Sequence, residues 1–294
     1  MSVLKTVYKQ TFIYGLATVV PRMLSFLLVR LHTDKSVLQN VSDYGDVSIV
    51  FAYFVLFNVL LAYGMETAFF RFFNKEPSKA NVLNTATVSI LVSSLGFLAL
   101  GLLFKQQIAD LTHIHVNYIS LVVWILFLDA LVIIPFAALR AYGKPVKYTV
   151  IKLTNVVVNL GLNIFLLLYL KALSVGNSFW DSIYVDNFEV SYIFIANLIA
   201  SGVTLLILLP FYFKINFKVD KVLWKKMLKY ALPVLVAGVA FSINETFDRV
   251  LLERLLPESI AKTSVGMYSA CYKLALFMML FATAYRLGIE PFFF

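Results

Sequence analysis

The chain has 294 residues, of which 61% are hydrophobic and 14% are charged, and its formal net charge is +9. An ordinary soluble domain has about half apolar and about a quarter charged residues, so this composition excludes a soluble globular enzyme. The basic residues flank apolar runs instead of forming an Arg-rich stripe, which argues against a nucleic-acid partner. We therefore expect an all-α, polytopic membrane protein.

Eight apolar segments follow one another along the chain. A spanning helix needs about 20 mostly apolar residues, and each segment is long enough to supply them. The predicted spans cover residues 10–31, 45–68, 81–104, 118–139, 148–170, 190–213, 228–252 and 266–290. They use nearly the whole chain, so no room remains for a separate soluble domain.

The loops between these spans alternate in basic charge. Most Lys and Arg outside the spans precede the first span or lie in the loops after the second, fourth and sixth. Short loops rich in Lys and Arg stay in the cytoplasm. The pattern therefore predicts a multi-pass protein of the cytoplasmic (inner) membrane whose N-terminus is cytoplasmic.

The most basic segment follows six predicted helices, so the seventh helix enters from the same side as the first. We expect a six-helix lobe at 1–214, a basic amphipathic linker at 215–229 on the anionic cytoplasmic leaflet, and two helices of a second, parallel-repeat lobe at 230–294. Residues 44–73 align without gaps on 265–294, with Gly45 opposite Gly266. The chain is accordingly interpreted as an N-terminal fragment.

Several cationic and amide side chains lie within the predicted spans, where ionisable groups are costly unless they meet a partner or a hydrated cavity. The candidates for a cargo cavity are Arg22, Arg30, Lys152, Asn155, Asn159, Asn163, Arg249 and Lys273. At about 100° per residue, the polar residues of the fifth span share one face. Cationic cavity walls would favour an anionic cargo, and a phosphate or pyrophosphate suits the fork of an Arg side chain.

Four carboxylates in the spans are candidates for binding a coupling proton or cation: Glu66, Asp129, Glu245 and Asp248. The second span places Ser48, Asn58 and Glu66 on one side. An alternative interpretation is structural, because charged groups can pair between helices, side chains at helix ends can reach the interface, and Asn side chains can hydrogen-bond between helices. The residues alone leave both interpretations open.

No signature of catalysis stands out. The sequence has no phosphate-cradling Gly-rich loop, no Ser/His/Asp set and no metal-ligand cluster, so we expect neither an enzyme nor a bound cofactor or metal. A membrane glycan polymerase or ligase would be expected to have a large outer loop bearing Arg or His. The longest predicted outer loop, 171–189, is short and poor in both.

Short motifs give the chain a family resemblance. They are Asp43-Tyr44-Gly45-Asp46 entering the second span, Leu139-Arg140-Ala141-Tyr142-Gly143-Lys144 after the fourth, the Asn-rich fifth span, Asp248-Arg249, Val265-Gly266-Met267-Tyr268-Ser269 and Glu290-Pro291-Phe292. With the helix order, they resemble polysaccharide-biosynthesis flippases of the O-antigen type, within the multidrug/oligosaccharidyl-lipid/polysaccharide exporter (MOP) superfamily.

The resemblance implies two six-helix lobes that alternate access around a cationic cavity. The implied cargo is an oligosaccharide on an undecaprenyl-pyrophosphate carrier, for surface polysaccharides such as the O-antigen of lipopolysaccharide. Arg22 and Lys152 would attract the pyrophosphate, with membrane lipids and glycan-assembly proteins as further partners. The alternatives are a cation-coupled multidrug exporter of the same superfamily, the glycan polymerase or ligase, and a scaffold without transport.

Overall fold

The computed structural model describes residues 19–34, 37–175 and 178–293, except positions 22, 25 and 39, and in the last helix it describes side chains only as far as 278, without 276 and 277. The described chain is helical and has no strand. The helices are α1 (19–33, with the gaps noted), α2 Val41–Ala62, α3 Met65–Lys75, α4 Lys79–Leu103, α5 Lys105–Thr112, α6 Val116–Ala141, α7 Pro145–Ile164, α8 Leu170–Ser174, α9 Ser178–Asp181, α10 Glu189–Tyr212, α11 Lys221–Leu255 and α12 Glu258–Phe293.

Six of the described helical segments are long and apolar enough to cross a membrane, which confirms a multi-pass membrane protein. They comprise α2 with α3, α4, α6, α7 with α8, α10 and α11. The described parts of α1 and α12 overlap the first and last of the predicted spans. The predicted fold class is therefore confirmed, although the number of complete spans stays approximate.

Helix α6 is the centre of the bundle. In its most apolar stretch 61% of the residues are buried, against 11% in the corresponding stretch of α7. Ile125, Ala130 and Ala137 on α6 are fully buried in the main apolar cluster, together with Phe194 of α10. Helix α7 turns most of its apolar side chains outward, as expected for a helix that contacts lipid acyl chains.

The second predicted span is broken into two helices. Tyr63 and Gly64 both have positive φ, at 31° and 71°, and α3 begins immediately after them. A side chain at Gly64 would collide with the carbonyl oxygen of Ala231 on α11, so the break allows the two backbones to approach closely. The expectation that Glu66 continues the Ser48 face of one straight helix is wrong, because Glu66 lies on α3 beyond the break.

The basic segment also differs from its prediction. Residues from Lys221 onward form the first turns of the 35-residue helix α11 and not a separate element. Leu223 and Met227 are buried against the protein, and the indole of Trp224 donates to Ser89 Oγ over 2.8 Å. The apolar face that we expected to enter the leaflet is thus covered by α4 and its neighbours, while the lysines remain exposed.

Two glycines at aligned positions of the internal repeat hold α2 against α12. A Cβ on Gly45 would lie 2.0 Å from the carbonyl oxygen of Lys262, and a Cβ on Gly266 would lie 2.5 Å from that of Val41. Val41 and Lys262 each precede the glycine of their own helix by four residues, so the contact is reciprocal. Only glycine permits this separation, because both neighbouring atoms belong to helix backbone. The ion pair of Lys262 Nζ with Asp46, at 2.7 Å, closes the same end.

Candidate functional site

A cavity of about 310 Å³ lies between α2, α11 and α12. Each helix contributes one face of three or four residues spaced by one helical turn. The lining consists of Ser48, Phe51, Ala52, Val55, Phe241, Glu245, Thr246, Arg249, Ser269, Tyr272 and Lys273. The cavity thus brings together three of the predicted site residues, Glu245, Arg249 and Lys273, from two helices. We call it the interhelical cavity.

The two cations of the interhelical cavity differ in their surroundings. Arg249 is buried and its guanidinium donates to the carbonyl oxygen of Glu245 at 2.8 Å and to Asp248 Oδ1 at 3.2 Å. Lys273 Nζ lies 5.2 Å from the centre of the Tyr44 ring. Among the side chains that the structure describes, no carboxylate lies within ion-pair distance of Lys273. Lys273 is therefore the cation of the cavity lining that has no ion-pair partner among the described side chains.

The carboxylates of this region are engaged by tyrosines. Tyr272 Oη donates to Glu245 Oε2 over 3.1 Å, and Tyr268 Oη donates to Asp248. Arg249 stacks over the Tyr272 ring at 4.4 Å. Asp248 offsets the charge of Arg249, and Glu245 in the lining opposes the charge of Lys273. The formal charges of these four residues therefore sum to zero, so they lack the positive excess that the sequence alone suggests.

Two hydroxyls at the cavity have unused hydrogen-bonding capacity. Ser48 Oγ and Ser269 Oγ are buried and make no hydrogen bond with any residue in the described part of the chain. A buried hydroxyl without a partner costs about 1–3 kcal/mol, so such groups are expected to meet water or a ligand. Both line the cavity, one on α2 and one on α12, and both are available to a polar cargo.

A second polar cluster lies between α6, α7 and α10. Asp129 of α6 accepts a hydrogen bond from Ser201 of α10 at 2.7 Å. Lys152 of α7 lies 4.7 Å above the Phe136 ring and interacts electrostatically with Asp129. Because the two charges have opposite sign and little access to solvent, each offsets the desolvation cost of the other. This geometry places Lys152 away from the interhelical cavity and against α6.

Two of the three asparagines of α7 hydrogen-bond to other helices. Asn155 Nδ2 donates to Thr204 of α10, and Asn163 contacts His32 of α1, both at 2.9 Å. Asn163 Nδ2 also donates to Asn159 Oδ1 over 2.9 Å. Asn155 and Asn163 therefore form hydrogen bonds between helices. This agrees with the structural interpretation, in which the Asn side chains hold neighbouring helices together.

The charges of Lys152 and Asp129 give a prediction for stability. We expect Lys152→Met or Asp129→Asn alone to lower the free energy of unfolding by about 1–2 kcal/mol, because the two opposite charges attract each other although they form no direct ion pair. The double variant should recover most of that loss. Thermal unfolding of the purified protein in detergent, analysed as a double-mutant cycle, checks this. Additive losses in the double variant would contradict the coupling.

The remaining predicted site residues lie elsewhere. Glu66 forms an ion pair with Arg140 at the more basic end of the bundle, and Arg140 also stacks on Phe70 at 4.7 Å. Arg30 is exposed on α1. Arg22 lies outside the described residues, so its cavity role stays a prediction. In the described ranges, no group of three or more His, Cys, Asp or Glu could hold a metal ion.

Some residues of these clusters escaped the sequence analysis. His32 is 4% exposed and was not singled out, and neither were Tyr272 and Ser201. Ser201 could have been noticed as a polar residue within an apolar span. Its position in the sequence does not indicate which neighbouring side chain it contacts. Tyr272 could have been found from its position one turn from Tyr268 and next to Lys273.

Known proteins resemble the chain at two levels. A family model described as "Polysaccharide biosynthesis protein" matches residues 7–286. Among solved structures, the chain matches "Inward-facing conformation of a multidrug resistance MATE family transporter of the MOP superfamily", with a TM-score of 0.53 and 15% sequence identity, over 92% of this chain and 62% of that one. The fold is therefore MATE-like, and the chain spans less than two thirds of that transporter's length. None of the curated proteins matches the sequence.

Proposed function

Because the chain belongs to the polysaccharide biosynthesis protein family, we propose that the protein moves a lipid-linked oligosaccharide across the cytoplasmic membrane. The carrier would be undecaprenyl pyrophosphate, and the glycan would serve a surface polysaccharide such as the O-antigen of lipopolysaccharide. The protein would act as a transporter and not as an enzyme, with its N-terminus in the cytoplasm. Its partners would be the carrier lipid, membrane lipids and the proteins that assemble the glycan.

The single observation that supports an anionic cargo is the unpaired cation in the interhelical cavity. Lys273 has no carboxylate partner among the described side chains, while the neighbouring Arg249 already has one. A phosphate that entered the cavity would compensate the Lys273 charge through a charge-assisted hydrogen bond. The hydroxyls of Ser48 and Ser269 could donate to its remaining oxygens.

The reciprocal contact of Gly45 and Gly266 supports an alternating-access cycle. It joins α2 of the first lobe to α12 at the end of the bundle where both helices begin. By the topology prediction this is the outer end, so the present packing closes the cavity on that side. An outward-facing state would require α2 and α12 to separate there.

A cation-coupled multidrug exporter is the second candidate, and the cavity also has features that favour it. Glu245 lines the cavity beside the aromatic rings of Phe51, Phe241 and Tyr272. A carboxylate among aromatic faces suits a flat organic cation, because both attract positive charge. Cargo charge therefore separates the two functions.

The test is binding of two cargoes to the complete protein in lipid nanodiscs. We expect a polyprenyl pyrophosphate oligosaccharide to bind in the micromolar range or tighter and to be flipped in proteoliposomes. A cationic dye such as ethidium should bind at least about 10-fold more weakly, a difference of about 1.4 kcal/mol. Tight dye binding with no measurable binding of the pyrophosphate would establish the second candidate instead.

A further inference from the structure

A second cavity, of about 560 Å³, opens beside the N-terminal turns of α7 and the C-terminal part of α10. It lies away from the interhelical cavity and shares no residue with it. Its lining residues are Gly143, Lys144, Pro145, Val146, Lys147, Val150, Ile151 and Ile207. The composition is amphipathic, since two lysines stand at one end beside Gly143 and Pro145, and four branched aliphatic side chains form the rest.

The aliphatic part of this cavity faces outward. Val146 is 58% exposed and Val150 is 55% exposed, and Ile207 is also exposed. In a membrane protein, exposed aliphatic side chains on a spanning helix contact acyl chains. The floor is different: Ile151 is buried in a small apolar cluster with Phe136 of α6, so the cavity wall is held by packing between helices.

The charged part of the cavity has no internal counter-ion. Lys144 and Lys147 are exposed, and the described side chains place no carboxylate within ion-pair distance of either ammonium group. The two lysines flank Pro145, at the end of the bundle where α6 ends and α7 begins. Basic groups at the membrane interface, next to a groove that takes acyl chains, are the features that recognise an anionic phospholipid.

We infer that the groove of Lys144, Lys147, Val150 and Ile207 is a binding site for one anionic phospholipid. The phosphodiester lies between the two ammonium groups, and one acyl chain runs along Val146, Val150 and Ile207 towards the membrane centre. The lipid fills the gap between α7 and α10 and steadies the packing of these helices. This site does not depend on which cargo the protein transports.

The test is native mass spectrometry of the complete, detergent-purified protein titrated with phosphatidylglycerol or with phosphatidylcholine of the same acyl chains. We expect the double variant Lys144→Gln/Lys147→Gln to bind the first bound phosphatidylglycerol about 30-fold more weakly, since each Lys near an anionic surface contributes about fivefold. Phosphatidylcholine binding should not change. The matched control, Lys218→Gln/Lys225→Gln, removes the same charge from exposed positions near the same end and should retain the lipid.

A second variant tests the acyl-chain part. Ile207→Trp fills the groove without changing its charge, and we expect it to weaken phosphatidylglycerol binding about 10-fold. Unfolding temperatures measured without added lipid verify that each variant is folded. The site is refuted if the Lys144/Lys147 variant binds the lipid as tightly as the unmodified protein, or if the Lys218/Lys225 control loses as much. Equal binding of glycerol 3-phosphate, which has no acyl chain, would also refute it.

Discussion

Replacing Lys273 with Gln is expected to lower the affinity of the protein for a polyprenyl pyrophosphate oligosaccharide by about 10- to 100-fold. A hydrogen bond to a charged group contributes about 1.5–3 kcal/mol, and Lys273 is the cavity cation without a carboxylate partner among the described side chains. The Gln side chain keeps most of the volume, so lost packing contributes little. Binding to the complete protein in nanodiscs measures the effect, and the flipping rate in proteoliposomes should fall with it.

The neutralisation of Glu245 should have the opposite effect. Glu245→Gln removes a negative charge from the same cavity, while the amide oxygen of Gln can still accept the hydrogen bond of Tyr272. For an anionic cargo we expect the affinity to rise about 30-fold, because a like-charge repulsion of about 2 kcal/mol disappears, for unit charges about 8 Å apart at an effective dielectric constant near 20. For a cationic cargo the affinity should fall instead.

The control for both variants is Lys229→Gln. Lys229 lies on α11, is exposed and does not line the cavity, so its loss removes one positive charge without touching the site. We expect its effect on cargo affinity to stay below about twofold. If Lys273→Gln and Lys229→Gln change the affinity for the anionic cargo to the same extent, the cavity assignment is wrong. If the anionic cargo does not bind, and Glu245→Gln weakens a cationic cargo while Lys273→Gln strengthens it, the multidrug alternative is correct.

The second large effect is expected at the α2–α12 contact. Gly45→Val should lower the free energy of unfolding by about 3 kcal/mol or more, because the new Cβ would lie only 2.0 Å from the Lys262 carbonyl oxygen. Gly266→Val should act in the same way against the Val41 carbonyl oxygen. A backbone atom cannot rotate aside as a side chain can, so relief requires the two helices to separate. Thermal unfolding in detergent measures the loss.

Gly202→Val and Gly161→Val are the matched controls. Both glycines lie inside long helices, and a Cβ on either would meet no atom within 4 Å. The intrinsic helix propensity changes equally in all four variants, so the difference between the pairs reports the contact alone. If Gly45→Val lowers the free energy of unfolding no more than Gly202→Val does, then α2 and α12 do not pack as described. Since the same contact closes one end of the cavity, flipping should also fall in the two contact variants.

Several features of the fold were predictable because they depend on the membrane and not on the partners of each helix. Apolar segments of about 20 residues must form helices in lipid, where every backbone polar group needs an internal partner. The predicted ends therefore agree closely with α4, α6 and α10. The break at Tyr63 and Gly64 was missed because its cause is the approach of Ala231, which lies far away in sequence.

The interpretation of the polar side chains was less predictable. Helical periodicity predicted that Lys152, Asn155, Asn159 and Asn163 share one face of the helix. It could not predict which neighbouring helices that face contacts. The structure places Lys152 over Phe136 of α6, Asn155 against Thr204 of α10 and Asn163 against His32 of α1. The prediction that the apolar face of Leu223 and Met227 enters the lipid leaflet was wrong for the same reason. An amphipathic pattern does not distinguish burial against lipid from burial against protein.

The sequence by itself determined the helical class, the order of the spans and the family resemblance, because these follow from local hydrophobicity and short motifs. Only the tertiary structure decided which charges are compensated. Asp129 lies near Lys152, Glu66 pairs with Arg140, and Arg249 pairs with Asp248, while Lys273 remains unpaired among the described side chains. Whether a buried charge is a structural partner or a binding group depends on distances of a few ångströms between helices, and such distances are set by packing across the whole bundle.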